Sequence, residues 1–142
     1  MSRVYEPPLD AVRDAVARAL AEDLLPLGDL TSRMLPPEAT TTAEFVARDA
    51  GVLAGRLCAD ETFRQVDPDV DISWQLSDGD AIEPGQVIGW VSGRLTTVLT
   101  GERTALNFMC HLSGIATLVR EYVDEAATGG DAKVWDTRKT IP

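Results

Sequence analysis

The chain has 142 residues, 44% hydrophobic and 25% charged, with 23 acidic side chains against 13 Lys and Arg for a formal net charge of −10. That length suits one domain and that composition an ordinary soluble globular protein, which excludes disordered, fibrous and disulfide-stapled classes. The acidic surplus disfavours DNA or RNA as a partner, because phosphate backbones call for a basic surface.

Charge is unevenly distributed. The last ten residues hold Lys133, Arg138 and Lys139 against Asp136, a net +2, which leaves −12 for the remainder, and the only two lysines both lie in this tail. Such segregation suits an anion site more than a solubilising surface. The N-terminus has no apolar leader segment, and no apolar run approaches the ~20 residues of a membrane span. The expectation is a cytoplasmic protein with no membrane partner. Cys58 and Cys110 read as reduced, buried thiols, and with His111 they offer too few soft ligands for structural zinc.

Leu9, Val12, Val16, Leu20 and Leu24 recur at helical spacing, which predicts a helix ended by Pro26 and Gly28. Gly28 to Pro37 reads as a loop. Thr41–Arg48 predicts a strand, followed by a turn at 49–51 and a short strand from Val52. A compact helix is predicted over 58–66, stopped by Asp67-Pro68. Asp71–Leu76 alternates as a strand, with turns at Ser77–Asp80 and Pro84-Gly85. Val87–Val91 is another strand, Gly93 breaks the run, and Leu95–Leu99 continues the β-rich region. A long helix is then predicted from Thr100 as N-cap, with Glu102 in its first turn, to Gly129-Gly130. Inside it, Ser113-Gly114 marks either a bend or a close contact. Ala132–Lys139 reads as a final strand.

Most catalytic signatures are absent, including dinucleotide, phosphate-loop, nucleophile-elbow and zinc-protease patterns. Two places stand out. Asp136-Thr-Arg-Lys-Thr140 lies at a strand's C-terminal end, where adjacent Arg and Lys either hold a carboxylate or phosphate or form an exposed basic turn. Arg103, placed near a helix start, pairs either with Glu102 or with an anionic ligand drawn to the helix N-terminus. His111 reads as a packed or capping residue. Trp74, Trp90 and Trp135 read as core or interface residues, with no stacking-platform spacing.

Six segments occur in an ordered set: Glu22-Asp-Leu, Gly28-Asp-Leu-Thr, Gly51-Val-Leu-Ala-Gly55, Gly101-Glu-Arg-Thr-Ala-Leu-Asn-Phe, Leu112-Ser-Gly-Ile-Ala-Thr117 and Asp136-Thr-Arg-Lys-Thr140. From about Leu9 to Pro142 the chain closely resembles the quinolinate phosphoribosyltransferases, the carboxylating nicotinate-nucleotide pyrophosphorylases of NAD biosynthesis. The resemblance implies transfer of a phosphoribosyl group from phosphoribosyl pyrophosphate to quinolinate with loss of CO2, giving nicotinate mononucleotide and pyrophosphate. It implies Mg2+ as cofactor, with ligands outside this chain, and a homodimer or higher oligomer with shared active sites. Arg103 matches the arginine that reaches quinolinate from a neighbouring subunit. Thr137, Arg138 and Lys139 match the ligand segment of the first barrel strand, with Arg138 assigned to a quinolinate carboxylate and Lys139 to the region near the phosphoribosyl group. No catalytic residue is assigned.

The implied fold is α+β. A small open sheet with helices forms an N-terminal domain over 1–100, whose helix 9–24 packs towards the barrel side. A linking helix and the first strand of an incomplete α/β barrel follow over 101–142. Family members continue well past this length, so the 142 residues are expected to be an inactive N-terminal portion with an uncovered helix face. Two alternatives are a related phosphoribosyltransferase-like protein with another substrate, and a biotinyl- or lipoyl-like carrier suggested by Ser77–Ile88. The carrier reading lacks a hairpin-tip lysine, since none precedes Lys133.

Overall fold

The computed structural model describes residues 6–135. Helix α1, Leu9–Leu24, forms as its apolar spacing dictates: Val12, Val16 and Leu20 are buried, and they pack on Cys58 with Leu57, Phe108 and Leu112 alongside. The helix therefore lies on α2, Arg56–Val66, and on α3, Leu95–Thr128. After it, residues 25–39 form an irregular loop with a single 3-10 turn at Ser32–Met34.

A three-stranded antiparallel sheet has the order β1–β5–β3, where β1 is Thr40–Val46, β3 is Asp71–Trp74 and β5 is Val87–Arg94. Two short strands, β2 at Gly51–Val52 and β4 at Ala81–Ile82, pair separately. One face of the large sheet supplies Phe45, Ile88 and Val91 to a core that Ala59 and Phe63 of α2 and Val98, Ala105 and Met109 of α3 complete. On the other face Thr42 bonds Ser92 at 2.8 Å and the Trp90 indole N–H donates to Glu44 at 3.2 Å. Alternation along β1 thus separates an apolar face from a polar one. The α+β class holds.

Two predicted boundaries are corrected. Residues 95–99 are not a strand: β5 runs through Gly93 to Arg94, and α3 begins at Leu95. The run Leu-Thr-Thr-Val-Leu-Thr has β propensity, but Val98, Gly101, Ala105 and Met109 are buried at helical spacing against α2 and the sheet, and packing overrides propensity. Thr100 is consequently not an N-cap and Glu102 not in the first turn. The expected strand over 132–139 is also absent from 132–135, where no strand partner exists among the described residues; the rest of it lies outside them.

Helix α3 starts under an unusual restraint. Its N-cap is Arg94, whose side chain makes no capping bond. Instead the buried Asp67, just past α2, accepts from Arg94 Nε at 3.0 Å, from Arg94 Nη2 at 2.9 Å and from Thr97 Oγ1 at 2.8 Å. Arg94 first, then the Thr97 hydroxyl and the Asp69 N–H, hold the Asp67 carboxyl below its ordinary value of 3.8. A depressed folded-state pKa contributes stability above the unfolded value of about 3.9, and that contribution is lost as pH falls through the folded one. Asp67→Asn is therefore expected to lower the melting temperature at pH 7, with the gap to wild type shrinking below about pH 4. A gap independent of pH would show that the charge is irrelevant.

The quoted glycine segments find their reason in α3. Val52 N–H donates to Thr117 Oγ1 at 2.9 Å, and Ala54 N–H to Ser113 Oγ at 3.0 Å. A Cβ on Gly51 would meet Thr117 Oγ1 at 2.6 Å, and Gly55 takes φ +99° with the α3 backbone beside it. Gly51–Gly55 and Leu112–Thr117 are two halves of one docking contact, so of the two readings of Ser113-Gly114 the close contact is realised, through Ser113. The hairpin that suggested a carrier has a structural role: Asp78 accepts from the N–H groups of Gly55 and Arg56 at 3.1 and 3.3 Å, closing the start of α2.

Candidate functional site

Where α1 ends, its last turn faces the third turn of α3, and two clefts open there. One, of about 420 Å³, is lined by Glu22, Asp23, Arg103, Asn107 and His111 among others. The second, of about 660 Å³, lies between the 28–32 loop and α3, and shares Asp23, Arg103 and Asn107 with the first. Both volumes fall in the range of small-molecule sites. Arg103 thus lines both clefts.

Arg103 is not at the helix start. It lies eight residues into α3, beyond the first turn where the helix dipole acts, so neither the dipole's penalty nor its attraction for an anion applies. Nor does it pair with Glu102, since consecutive helical residues point about 100° apart. Its partner is Asp23, 80 positions away in sequence, whose Oδ1 accepts from Arg103 Nη1 at 3.0 Å. The arginine side chain is 76% exposed and the aspartate 21%. An exposed pair of this kind contributes ~0.2–1 kcal/mol, weak enough for the guanidinium to share itself with a second anion. Among the described residues Nη1 alone is engaged, and the Nε/Nη2 edge has the geometry for a bidentate carboxylate.

The wall of the larger cleft is built by Asp29. One oxygen, Oδ1, accepts the N–H groups of Thr31 and Ser32 at 3.0 Å each; the other, Oδ2, accepts from Ser32 Oγ and, at 2.9 Å, from Thr100 Oγ1. Ser32's hydroxyl and N–H chiefly hold this carboxyl below its ordinary 3.8, with Thr100 and Thr31 adding to the effect against burial. The loop is thereby tied to α3 one turn before Arg103. Thr100, expected as a helix cap, is the α3 end of this tie.

Of the residues predicted for the site, Arg103 is placed on these clefts, and Thr137, Arg138 and Lys139 lie outside the described residues. His111 is exposed on the smaller cleft, neither packed nor capping. Cys110 is exposed as well, correcting the expectation of two buried thiols, because it sits one residue round the helix from the inward Met109; Cys58 is buried, and burial first, then Asp78, pushes its thiol up. Trp74 belongs to the core, stacked on Phe45 at 4.9 Å, whereas Trp135 is 78% exposed. Sequence reasoning misses Asp23 and Asp29 as site residues. Their signal was the pair of segments Glu22-Asp-Leu and Gly28-Asp-Leu-Thr, which carry no mechanism until the fold brings both against α3.

Residues 29–113, which include Asp29, Thr100 and Arg103, match the family described as quinolinate phosphoribosyl transferase, N-terminal domain. The chain belongs to that family. Among quinolinate phosphoribosyltransferases and their synonyms, it is 42% identical over 141 residues to the nicotinate-nucleotide pyrophosphorylase [carboxylating] of Mycobacterium leprae, covering 94% of this chain and 48% of that protein. It is 37% identical over 145 residues to quinolinate phosphoribosyltransferase [decarboxylating] 1 of Nicotiana glauca, covering 99% of this chain and 41% of the relative. The solved nicotinate-nucleotide pyrophosphorylase of Francisella tularensis superposes with a TM-score of 0.90 at 34% identity, over 100% of this chain and 50% of that one. The chain thus spans half or less of these quinolinate phosphoribosyltransferase relatives' length. Some relatives carry organelle names, such as the chloroplastic protein of Arabidopsis thaliana. No helix among the described residues is long and apolar enough to cross a membrane.

Proposed function

We propose that these residues supply part of an enzyme that transfers the phosphoribosyl group of phosphoribosyl pyrophosphate to quinolinate with decarboxylation, yielding nicotinate mononucleotide, CO2 and pyrophosphate for NAD synthesis. The observation that carries this reading is Arg103: a cation 76% exposed, held from one side by Asp23 and lining two clefts, in a chain of this family. A guanidinium with a free edge is the group of choice for a carboxylate, and quinolinate carries two. In this reading Arg103 reaches a quinolinate bound to a neighbouring subunit of a homodimer or larger assembly, and the enzyme is cytoplasmic. Thr137, Arg138 and Lys139 bind substrate in the same subunit, with Arg138 on a carboxylate and Lys139 near the phosphoribosyl group. The proposed division keeps an α+β domain over 1–100 and a linking segment with the first barrel strand over 101–142, with α3 crossing the boundary.

Mg2+ belongs to the reaction that the resemblance implies. In this reading its ligands lie outside these residues; among the described residues no group of three or more His, Cys, Asp or Glu could hold a metal ion. What this segment contributes is charge and shape: a cation facing an anionic substrate across a partly enclosed cleft, where such pairing acts more strongly than in open water.

The 142 residues span 41% of the Nicotiana glauca relative, and by themselves they are expected to form no nicotinate mononucleotide. The test is a product assay with quinolinate and phosphoribosyl pyrophosphate on two proteins: these residues alone, and the enzyme of full family length that carries them. Product from the second only is the expected result. Product from the first would overturn the division of labour, and product from neither would overturn the proposed activity.

A further inference from the structure

We propose that Asp23 is a positioning residue for Arg103, holding the guanidinium at the orientation in which its free edge meets a substrate carboxylate. The inference rests on the proposed role of Arg103 and extends it to a residue for which no role has been given. A long arginine side chain exposed on a helix surface samples many rotamers, and ordering it on ligand binding has an entropic cost. Asp23 removes part of that cost beforehand, because its Oδ1 lies 3.0 Å from Nη1.

Three features fit the task. The contact uses one guanidinium nitrogen only, so Nε and Nη2 remain free of it. Asp23 stands on an anchored helix: its side chain is 21% exposed, and the buried Val12, Val16 and Leu20 hold α1 in place. Its carboxylate also sits in the last turn of α1, next to Leu24, the final helical residue, where a negative charge is unfavourable against the helix dipole and a cation offsets it. No basic residue occupies that last turn, so Arg103 of α3 provides the compensating charge from outside the helix. Glu22 lines the same cleft without pairing with Arg103; among the described residues Asp23 alone does so.

The experiment is steady-state kinetics on the full-length enzyme with Arg103→Ala, Asp23→Ala, Asp23→Asn and the double variant Asp23→Ala/Arg103→Ala. Asp23→Ala is expected to raise the KM for quinolinate about three- to tenfold while kcat stays within about twofold. Asp23→Asn, which keeps an acceptor at the same place, recovers part of that loss. In the double variant the KM equals that of Arg103→Ala alone, because a positioning residue has nothing left to position. An unchanged KM in Asp23→Ala, a loss confined to kcat, or additive effects in the double variant would overturn the proposal while leaving the role of Arg103 intact. An unchanged KM in Arg103→Ala would instead remove the reading on which it rests. A fall in melting temperature with unchanged KM in both Asp23 variants would assign the pair to stability and overturn it too.

Discussion

Replacing Arg103 with alanine in the full-length enzyme is expected to raise the KM for quinolinate by about ten- to a hundredfold, the equivalent of ~1.5–3 kcal/mol for a hydrogen bond to a charged group. The expectation follows from where the side chain sits. Arg103 is 76% exposed and contributes little to the core, so its removal leaves the fold unharmed. The next two residues on the helix, Thr104 and Ala105, are buried and hold α3 in place without it. Loss of affinity with a preserved melting temperature is thus the signature of a ligand contact. Lysine at the same position restores charge but not the forked geometry, and is expected to recover only a fraction. Wild-type kinetics in Arg103→Ala would remove the carboxylate-binding role.

The largest effect on stability is expected at Phe63. Its side chain is 1% exposed, meets Phe45 edge-on with ring centroids 6.2 Å apart, and lies under Gly101 so closely that a Cβ there would fall 2.7 Å from two ring carbons. Phe63→Ala is expected to cost ~3–5 kcal/mol, the range for emptying a buried aromatic site. Gly101→Ala alone sets an overpacking cost of ~1–3 kcal/mol against a helix-propensity gain of ~1 kcal/mol, and is expected to destabilise by the difference. In the Phe63→Ala background the clash is gone, so the same substitution becomes stabilising. Denaturant unfolding of the two single variants and the double checks this sign reversal. Additivity of the two substitutions would show that Gly101 is not there to admit the ring.

How much of this was legible in the sequence depends on the distance over which each interaction acts. Helix α1 could be read from Leu9 to Leu24 because amphipathic spacing is local, and the turns at 77–80 and 84–85 because their residues specify them. The start of α3 could not: Leu95 to Thr100 favours a strand by local chemistry, and what makes it helical is the burial of Val98 and Gly101 against α2 together with the bond from Thr97 to Asp67, 30 positions back. That error carried into the site. With the helix begun at Thr100, Arg103 fell beside a helix N-terminus and Glu102 looked like a partner; with it begun at Leu95, both arguments lapse. The pair with Asp23 and the tie from Asp29 to Thr100 span 80 and 71 positions and leave no periodic trace. They were visible only as short segments whose family resemblance was plain and whose physical reason was not.

The glycines, too, answer to distant contacts. Gly51 could be read as a turn residue and Gly55 only as part of a family segment, yet their requirement comes from Thr117, Met109 and Leu112 on a helix more than fifty residues later. On α3 itself, the fully buried residues end at Met109 and the contacts with the Gly51–Gly55 segment at Thr117, while Leu118, Val119 and Tyr122 are 53%, 46% and 63% exposed. The uncovered apolar face expected of the long helix is therefore present on its second half.

The central claim is that Arg103 presents a carboxylate-binding edge across its cleft, and it is tested most directly by a crystal structure of the full-length enzyme with quinolinate bound. The account predicts Arg103 Nε or Nη2 within ~2.7–2.9 Å of a quinolinate carboxylate oxygen, with Nη1 still on Asp23. A quinolinate molecule with both carboxylates satisfied by other groups, and Arg103 turned to solvent, would contradict it.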